Sequence, residues 1–285
     1  MLLKNKKILY VGILSAGILS SFTIPKNALA EVSVSQLCHT TTPLNFQSEC
    51  KSEATDWGKF FFDLWNKLTP QIEKDTVRDY TGGGYGNINR YLRSDYFDVI
   101  DQNKTEESIK QLDRAFSRIR LHDDIIVYRR VSESAFHLPD YISEYLLEKT
   151  GETALVNKDL KINREKLEIF KAMFQGKYKK DPAYMSTSIV KDVAAGFSEL
   201  PILMKIYVPK GVPAIYVDPL SNAPGEMELL LPRNRTYKVT NISPVIEKDK
   251  EYVMLDVEIL DIESNYRNKR FTDIIYEDKL PSLSK

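Results

Sequence analysis

Apolar positions in this chain keep mostly a helical rhythm as far as Gly176 and mostly a strand rhythm beyond it. Ala54 to Leu68 carries Trp57, Phe60, Phe61, Leu64 and Trp65 at the spacing of an amphipathic helix, which Pro70 ends. Lys74 to Tyr80 and Tyr85 to Arg93 predict two short helices, separated by Thr81-Gly82-Gly83-Gly84. Glu106 to Arg120 predicts a longer helix with Ile109, Leu112, Phe116 and Ile119 inward; Pro139 to Lys149 and Arg164 to Gln175 predict two more. The β-branched run Ile125 to Val131 is the first strand. Strands then dominate: Tyr184 to Ile189, Ile202 to Val208, Val212 to Val217, Leu229 to Leu231, Thr236 to Ile242 and Tyr252 to Leu260, with a short helix at Asp192 to Phe197. Helices first and strands later argue an α+β fold, with N-terminal helices packed on a mainly antiparallel mixed sheet or β-sandwich.

The first thirty residues stand outside that pattern. Lys4, Lys6 and Lys7 precede a mostly apolar run from Ile8 to Phe22, and Ala28-Leu29-Ala30 is a small-residue cleavage site, the signature of a secretory signal peptide. The run is short and broken by Gly12, Ser15, Gly17 and Ser20, which argues against a transmembrane anchor. The expected organisation is a signal peptide over 1–30, an extension over 31–54 and a single domain over 55–285 of a secreted protein. Removing the signal removes Lys4, Lys6, Lys7 and Lys26 and no acid, so the balance moves from 40 basic and 40 acidic residues to a net charge of about −4. A mildly acidic chain is poorly suited to general nucleic-acid binding, which depends on neutralising phosphates. Cys38 and Cys50 lie close together, and outside the cell they are expected to form a disulfide or remain free thiols; His39 alone near them does not make a zinc site.

Candidate chemistry concentrates in Asn222 to Asn234, where Glu226 and Glu228 follow a Pro224-Gly225 turn signal and precede Leu229 to Leu231. On an extended chain two residues at this spacing point to one side, so the two acids are expected to share one space despite their repulsion. The bland reading is the wet edge of a strand. Arg129 and Arg130 lie inside an apolar strand, where each must be solvated, paired or bound to an anion. The bland reading there is an edge strand with one exposed arginine. The three glycines at 82–84 permit close approach to a ligand or a plain turn between helices, and no Gly-Lys-Ser/Thr follows to make a Walker loop. His39, His122 and His137 sit in no nucleophile motif, and no strand leads into Gly-x-Gly-x-x-Gly, so a serine hydrolase and a dinucleotide-dependent dehydrogenase are poorly supported.

Taken in order, Tyr128-Arg129, Ser186-Thr187-Ser188 and Glu226-Met227-Glu228 resemble the arginine–serine–glutamate clan of bacterial mono-ADP-ribosyltransferase toxins. The run from Tyr80 to Arg93 looks like that family's NAD-contacting helix, and the likeness spans roughly residues 55 to 260. It implies the ADP-ribosyltransferase fold, with NAD as co-substrate and no metal. By resemblance Glu228 holds the ribose and stabilises the growing positive charge, Ser186 fixes Glu228, and Arg129, with Arg130 assisting or merely supporting the strand, grips the phosphates. Tyr80, Tyr85 and Asn89 match cofactor-contacting positions, and Phe197 sits where relatives place an aromatic against nicotinamide. There are two departures: an arginine carried by some relatives is Leu200 here, and Ala223-Pro224-Gly225 stands where several expose an aromatic.

In this clan a Glu at the first acid position accompanies arginine modification, whereas the Rho-modifying exoenzymes have Gln there and modify asparagine. Glu226 therefore implies an arginine acceptor on a host protein, with actin or another cytoskeletal protein expected. The resemblance further implies a monomer acting in the host cytosol, with NAD glycohydrolysis as a side activity and a separate translocation partner as one route of entry. The rivals are a Rho-directed transferase, a plain NAD glycohydrolase, and a secreted binding protein that keeps the scaffold without catalysis.

Overall fold

The helix α1, Lys51–Leu68, turns Ala54, Gly58, Phe61 and Trp65 inward at alternating steps of four and three, and the Trp65 indole donates to the Ala115 carbonyl at 3.0 Å. Extended backbone at Thr69 and Pro70 ends it, and Pro70 accepts from the first free amides of α2, Gln71–Asp79. A single π-type turn over Tyr80–Gly84 carries the chain directly into α3, Tyr85–Arg93. The glycine run is thus an ordered turn in which only Gly82 departs from helical geometry, at φ −92° and ψ −113°. Next comes α4, Gln102–Ser117, which starts a turn earlier than its apolar pattern implies because Asp101 caps it by accepting from the Lys104 amide at 3.0 Å. The remaining helices are α5, Asp140–Thr150, α6, Arg164–Phe174, and α7, Lys191–Gly196. The computed structural model describes residues 42–260 apart from 95–98, 100, 137, 197–198 and 248–249. The expected signal segment and Cys38 lie outside those residues; Cys50 carries no free thiol.

The strands are β1, Ile125–Val131; β2, Tyr178–Asp181; β3, Met185–Ser188; β4, Ile202–Val208; β5, Ile215–Tyr216; β6, Glu228–Leu231; β7, Arg235–Glu247; and β8, Lys250–Ile259. They pair in the order β2-β7-β8-β4-β1-β3-β6-β5, and β4 with β8 is the parallel pair in an otherwise antiparallel arrangement. The fold is α+β with N-terminal helices and a mixed sheet, as expected. Its two parts, β2-β7-β8-β4-β1 and β3-β6-β5, meet through the single register pair Tyr128–Ser188. That thin seam brings the arginine strand beside the serine and glutamate strands.

Three strands differ most from the sequence reading. Tyr178–Asp181 has no apolar alternation, yet it pairs with β7 as an edge strand. Val212 to Val217 shrinks to two paired residues in β5. β7 runs on to Glu247 through Pro244, since β2 covers only Arg235 to Lys238 and the missing Pro244 amide breaks no ladder on that side. The main core joins the inner faces of α1, α4 and α6 to β1, β4, β6 and β8. A smaller cluster of Ile126, Tyr128, Ala194, Leu203 and Tyr252 lies on the opposite face of β1. Consecutive residues of β1 therefore serve different faces.

Candidate active site

Glu228 opens β6, flanked by β3 and β5, and only 5 % of it is exposed. Leu229 to Leu231 behind it are fully buried and fix its backbone. Glu226 lies ahead of the strand, half-buried, in a turn shaped by left-handed backbone at Gly225 (φ 94°) and Met227 (φ 48°). The expectation that an extended chain would aim both acids the same way is therefore corrected. A bend brings them near one another, because non-glycine left-handed backbone at Met227 breaks the alternation. The Asp218 carboxylate holds that bend, accepting from the Gly225 amide at 2.9 Å and the Met227 amide at 2.8 Å.

All three hydroxyls of Ser186-Thr187-Ser188 grip this segment. Ser186 donates to the Glu228 carboxylate, Thr187 to the Leu229 carbonyl at 2.5 Å, and Ser188 to the Glu226 carbonyl at 2.8 Å. One hydroxyl orients the buried acid, and the other two lock the backbone that carries it.

Arg129 shares the β1 face of Ile125, Val127 and Val131, and its buried Nη1 has no hydrogen-bond partner among the described residues. Desolvation pulls its pKa down; Asp181 opposes this and Arg93 adds to it. Tyr80 is buried nearby, its hydroxyl accepting from the Asn89 amide at 3.0 Å. Burial pushes the Tyr80 phenol up, Asn89 and Arg129 pull it back, and Glu228 raises it again, so it lies in the field of both catalytic candidates. Tyr85 stands at the start of α3 with 55 % of its surface exposed.

Arg130 is not brought to this group. It faces the smaller cluster, with its guanidinium 4.9 Å from the Tyr252 ring centroid and Nη1 donating to the Leu200 carbonyl at 2.6 Å. Strand alternation puts it on the face of β1 opposite Arg129, where of the two expected roles it has the contacts of a strand support. Phe197 lies outside the described residues.

Burial pushes the Glu228 carboxyl up to about 7; the Ser186 hydrogen bond opposes this, Glu226 and then Asp218 add to it, and Arg129 pulls it down. Glu226 is also raised, by its own desolvation and then by Asp218. Residues to which the sequence reading gave no individual role thus matter to the site: Asp218, Thr187 and Ser188 through backbone contacts, and Arg93 with Asp181, paired at 3.2 Å beside Arg129. Only proximity in the chain pointed to Asp218; nothing in the sequence pointed to Asp181.

A family model described as ADP-ribosyltransferase exoenzyme matches residues 54–261. The chain belongs to that family. Among ADP-ribosyltransferase relatives, the mono-ADP-ribosyltransferase C3 of Hathewaya limosa is 30% identical over 191 residues, covering 67% of this chain and 70% of the relative. The NAD(+)–arginine ADP-ribosyltransferase EFV of Enterococcus faecalis is 25% identical over 191 residues, 65% of this chain and 32% of its own length. Among solved structures, Plx2a, an ADP-ribosyltransferase toxin from Paenibacillus larvae, superposes with a TM-score of 0.64 at 26% identity, covering 77% of this chain and all of that one. ADP-ribosyltransferases take NAD as substrate, and the residues here fit it. A guanidinium nitrogen on Arg129 without a partner among the described residues suits a pyrophosphate, and a hydroxyl-held carboxylate at Glu228 suits a ribose. Among the described residues no cluster of three or more His, Cys, Asp or Glu side chains is placed to hold a metal, and no helix is long and apolar enough to cross a membrane.

Proposed function

We propose that this protein transfers ADP-ribose from NAD to arginine side chains of a host protein, with an actin-like or other cytoskeletal target. The carrying observation is Glu226: a carboxylate, held in a bend beside Glu228, with its pKa raised by burial. A guanidinium keeps its proton at neutral pH, so it needs an anionic neighbour to become a nucleophile. A raised carboxylate pKa makes Glu226 a better proton acceptor than an exposed acid.

In this reading Arg129 binds the phosphates and Tyr80 and Asn89 wall the site, with Tyr85 reaching the cofactor from α3. Ser186 holds the Glu228 carboxylate against a ribose hydroxyl. As the glycosidic bond breaks, its electron pair leaves with nicotinamide, and Glu228 stabilises the positive charge that develops on the ribose. The acceptor guanidinium nitrogen then bonds to that carbon, and its proton passes to Glu226. Water in place of the guanidinium gives NAD glycohydrolysis. The N-terminal sequence supports secretion, with action in the host cytosol as a monomer after delivery, a separate translocation partner being one route.

The second reading is transfer to asparagine on a Rho-type GTPase. It is favoured by higher identity to the C3 enzyme, 30% against 25% for EFV, and by the far larger share of the C3 enzyme covered. Against it stands the carboxylate at position 226. Incubating the mature protein with labelled NAD and a host lysate, followed by mass spectrometry of the modified residue, decides between them. ADP-ribose on arginine is expected; exclusive labelling of asparagine would overturn the proposal. Glu226→Gln should lose transfer and keep most NAD cleavage, whereas Glu228→Ala should lose both.

A further inference from the structure

The bend carrying Glu226 is tied down at two ends. Asp218 holds it from within through the Gly225 and Met227 amides. At the other end Asn222 reaches across to the last turn of α2 and the glycine turn that follows it. Its Nδ2 donates to the Arg78 carbonyl at 2.9 Å, and its backbone amide donates to the Thr81 hydroxyl at 3.2 Å. That hydroxyl in turn donates to the same Arg78 carbonyl at 2.9 Å, closing a small ring of hydrogen bonds. Gly82 makes room for it: a Cβ at that position would stand 2.7 Å from Asn222 Nδ2. The non-helical backbone at Gly82 and the Asn222 amide therefore belong to one arrangement.

The two sides joined by this ring face different reactants. Thr81 and Gly82 follow Tyr80, whose phenol lies in the field of Arg129 and Glu228. Asn222 lies four residues ahead of Glu226 on the same turn. We infer that Asn222 is a specificity-determining positioning residue, a latch that sets the acceptor-side turn from the cofactor-side segment so that Glu226 is aimed only when that segment is in place. The inference rests on the reading of Glu226 as the acceptor-side acid. Its physical basis is differential: contacts made by one conformation of the turn bias it toward that conformation, and linkage makes the bias reciprocal between the two sides. Glu228 does not depend on the latch, because β6 and the hydroxyls of β3 hold it independently.

The test uses the whole mature protein and the variants Asn222→Ala and Thr81→Val, with agmatine as a small guanidino acceptor. Both variants should keep the parental melting temperature and nicotinamide release within about twofold, while kcat for transfer to agmatine falls about tenfold, the scale of losing one or two exposed hydrogen bonds. The double variant should lose little more than either single one, because both break the same ring. An unchanged ratio of transfer to hydrolysis, or fully additive losses, overturns the latch. Amide hydrogen exchange supplies a readout that does not depend on the acceptor: NAD should slow exchange at Gly225 and Met227 in the parent and not in Asn222→Ala. Equal protection in both proteins also overturns it. If Glu226→Gln fails to separate transfer from hydrolysis, the acceptor reading has failed, and the exchange result still decides whether Asn222 couples the two segments.

Discussion

Ser186 and Glu228 are diagonal neighbours across β3 and β6. Ser186 lies opposite Leu230 and Glu228 opposite Ser188, so the hydroxyl reaches the carboxylate along one face of the sheet. The hydrogen bond favours the ionised acid against a burial that favours the neutral one, and burial is the larger effect. A carboxylate poised near 7 follows from that contest, and its consequences are measurable.

The first concerns the pH–rate profile. If ionised Glu228 is the active form, kcat/KM for NAD cleavage should rise with pH through about 7. Ser186→Ala removes the contact that lowers this pKa, so the midpoint should move upward and the plateau rate should fall about tenfold. A profile whose midpoint stays in place in the variant would separate Ser186 from Glu228 ionisation.

Stability should show the opposite sign. The folded state holds the Glu228 proton up to about 7, well above an ordinary carboxylate. The stability this confers is complete below the unfolded pKa and is lost as the pH rises through 7. Glu228→Gln escapes that loss, so it should be more stable than the parent at pH 8, by up to about 3 kcal/mol, with the difference shrinking toward pH 4. Calorimetry at the two pH values checks this.

Asp218 raises the pKa of both Glu226 and Glu228 while binding two amides of the bend. Asp218→Asn keeps one acceptor oxygen and removes the charge. Its acid limb for NAD cleavage should move below that of the parent, and its transfer activity should fall more than its hydrolysis, because the turn loses a charge-assisted anchor. Parallel pH profiles for the two activities in parent and variant give the comparison.

Arg129 and Arg130, adjacent in sequence, should behave unequally. Arg129→Ala removes the buried, unpartnered guanidinium nitrogen beside Tyr80 and should raise KM for NAD at least about tenfold more than Arg130→Ala does. Arg130→Ala removes a stacking partner of Tyr252 and a bond to the Leu200 carbonyl, so its larger effect should be on melting temperature.

Gly58 on α1 packs against Tyr216 of β5 so closely that a Cβ would stand 2.3 Å from the ring. Gly58→Ala should therefore destabilise the protein by about 1–3 kcal/mol despite its gain in helix propensity. Because β5 flanks β6, NAD cleavage should weaken at temperatures where the fold still holds. Melting temperature and activity measured together test both.

The amino-acid sequence alone determined a good deal of this protein. The change of rhythm at Gly176 announced helices before strands, and the inward faces of α1 and α4 followed from apolar spacing. The residues at 129, 186, 226 and 228 pointed to one chemistry through their resemblance, in that order, to the arginine–serine–glutamate transferases. Local pattern could not see what depends on partners distant in the chain. β2 is a strand because β7 lies beside it, not because Tyr178 to Asp181 alternates. Arg129 and Arg130 part company because β1 is covered on both faces, by two different clusters. Glu226 meets Glu228 through left-handed backbone at Met227, which Asp218 and Ser188 stabilise from other segments. The acids were legible as residues; their unequal placement, and the pKa near 7 of the buried one, came from tertiary packing, since desolvation and backbone bending depend on what folds around them.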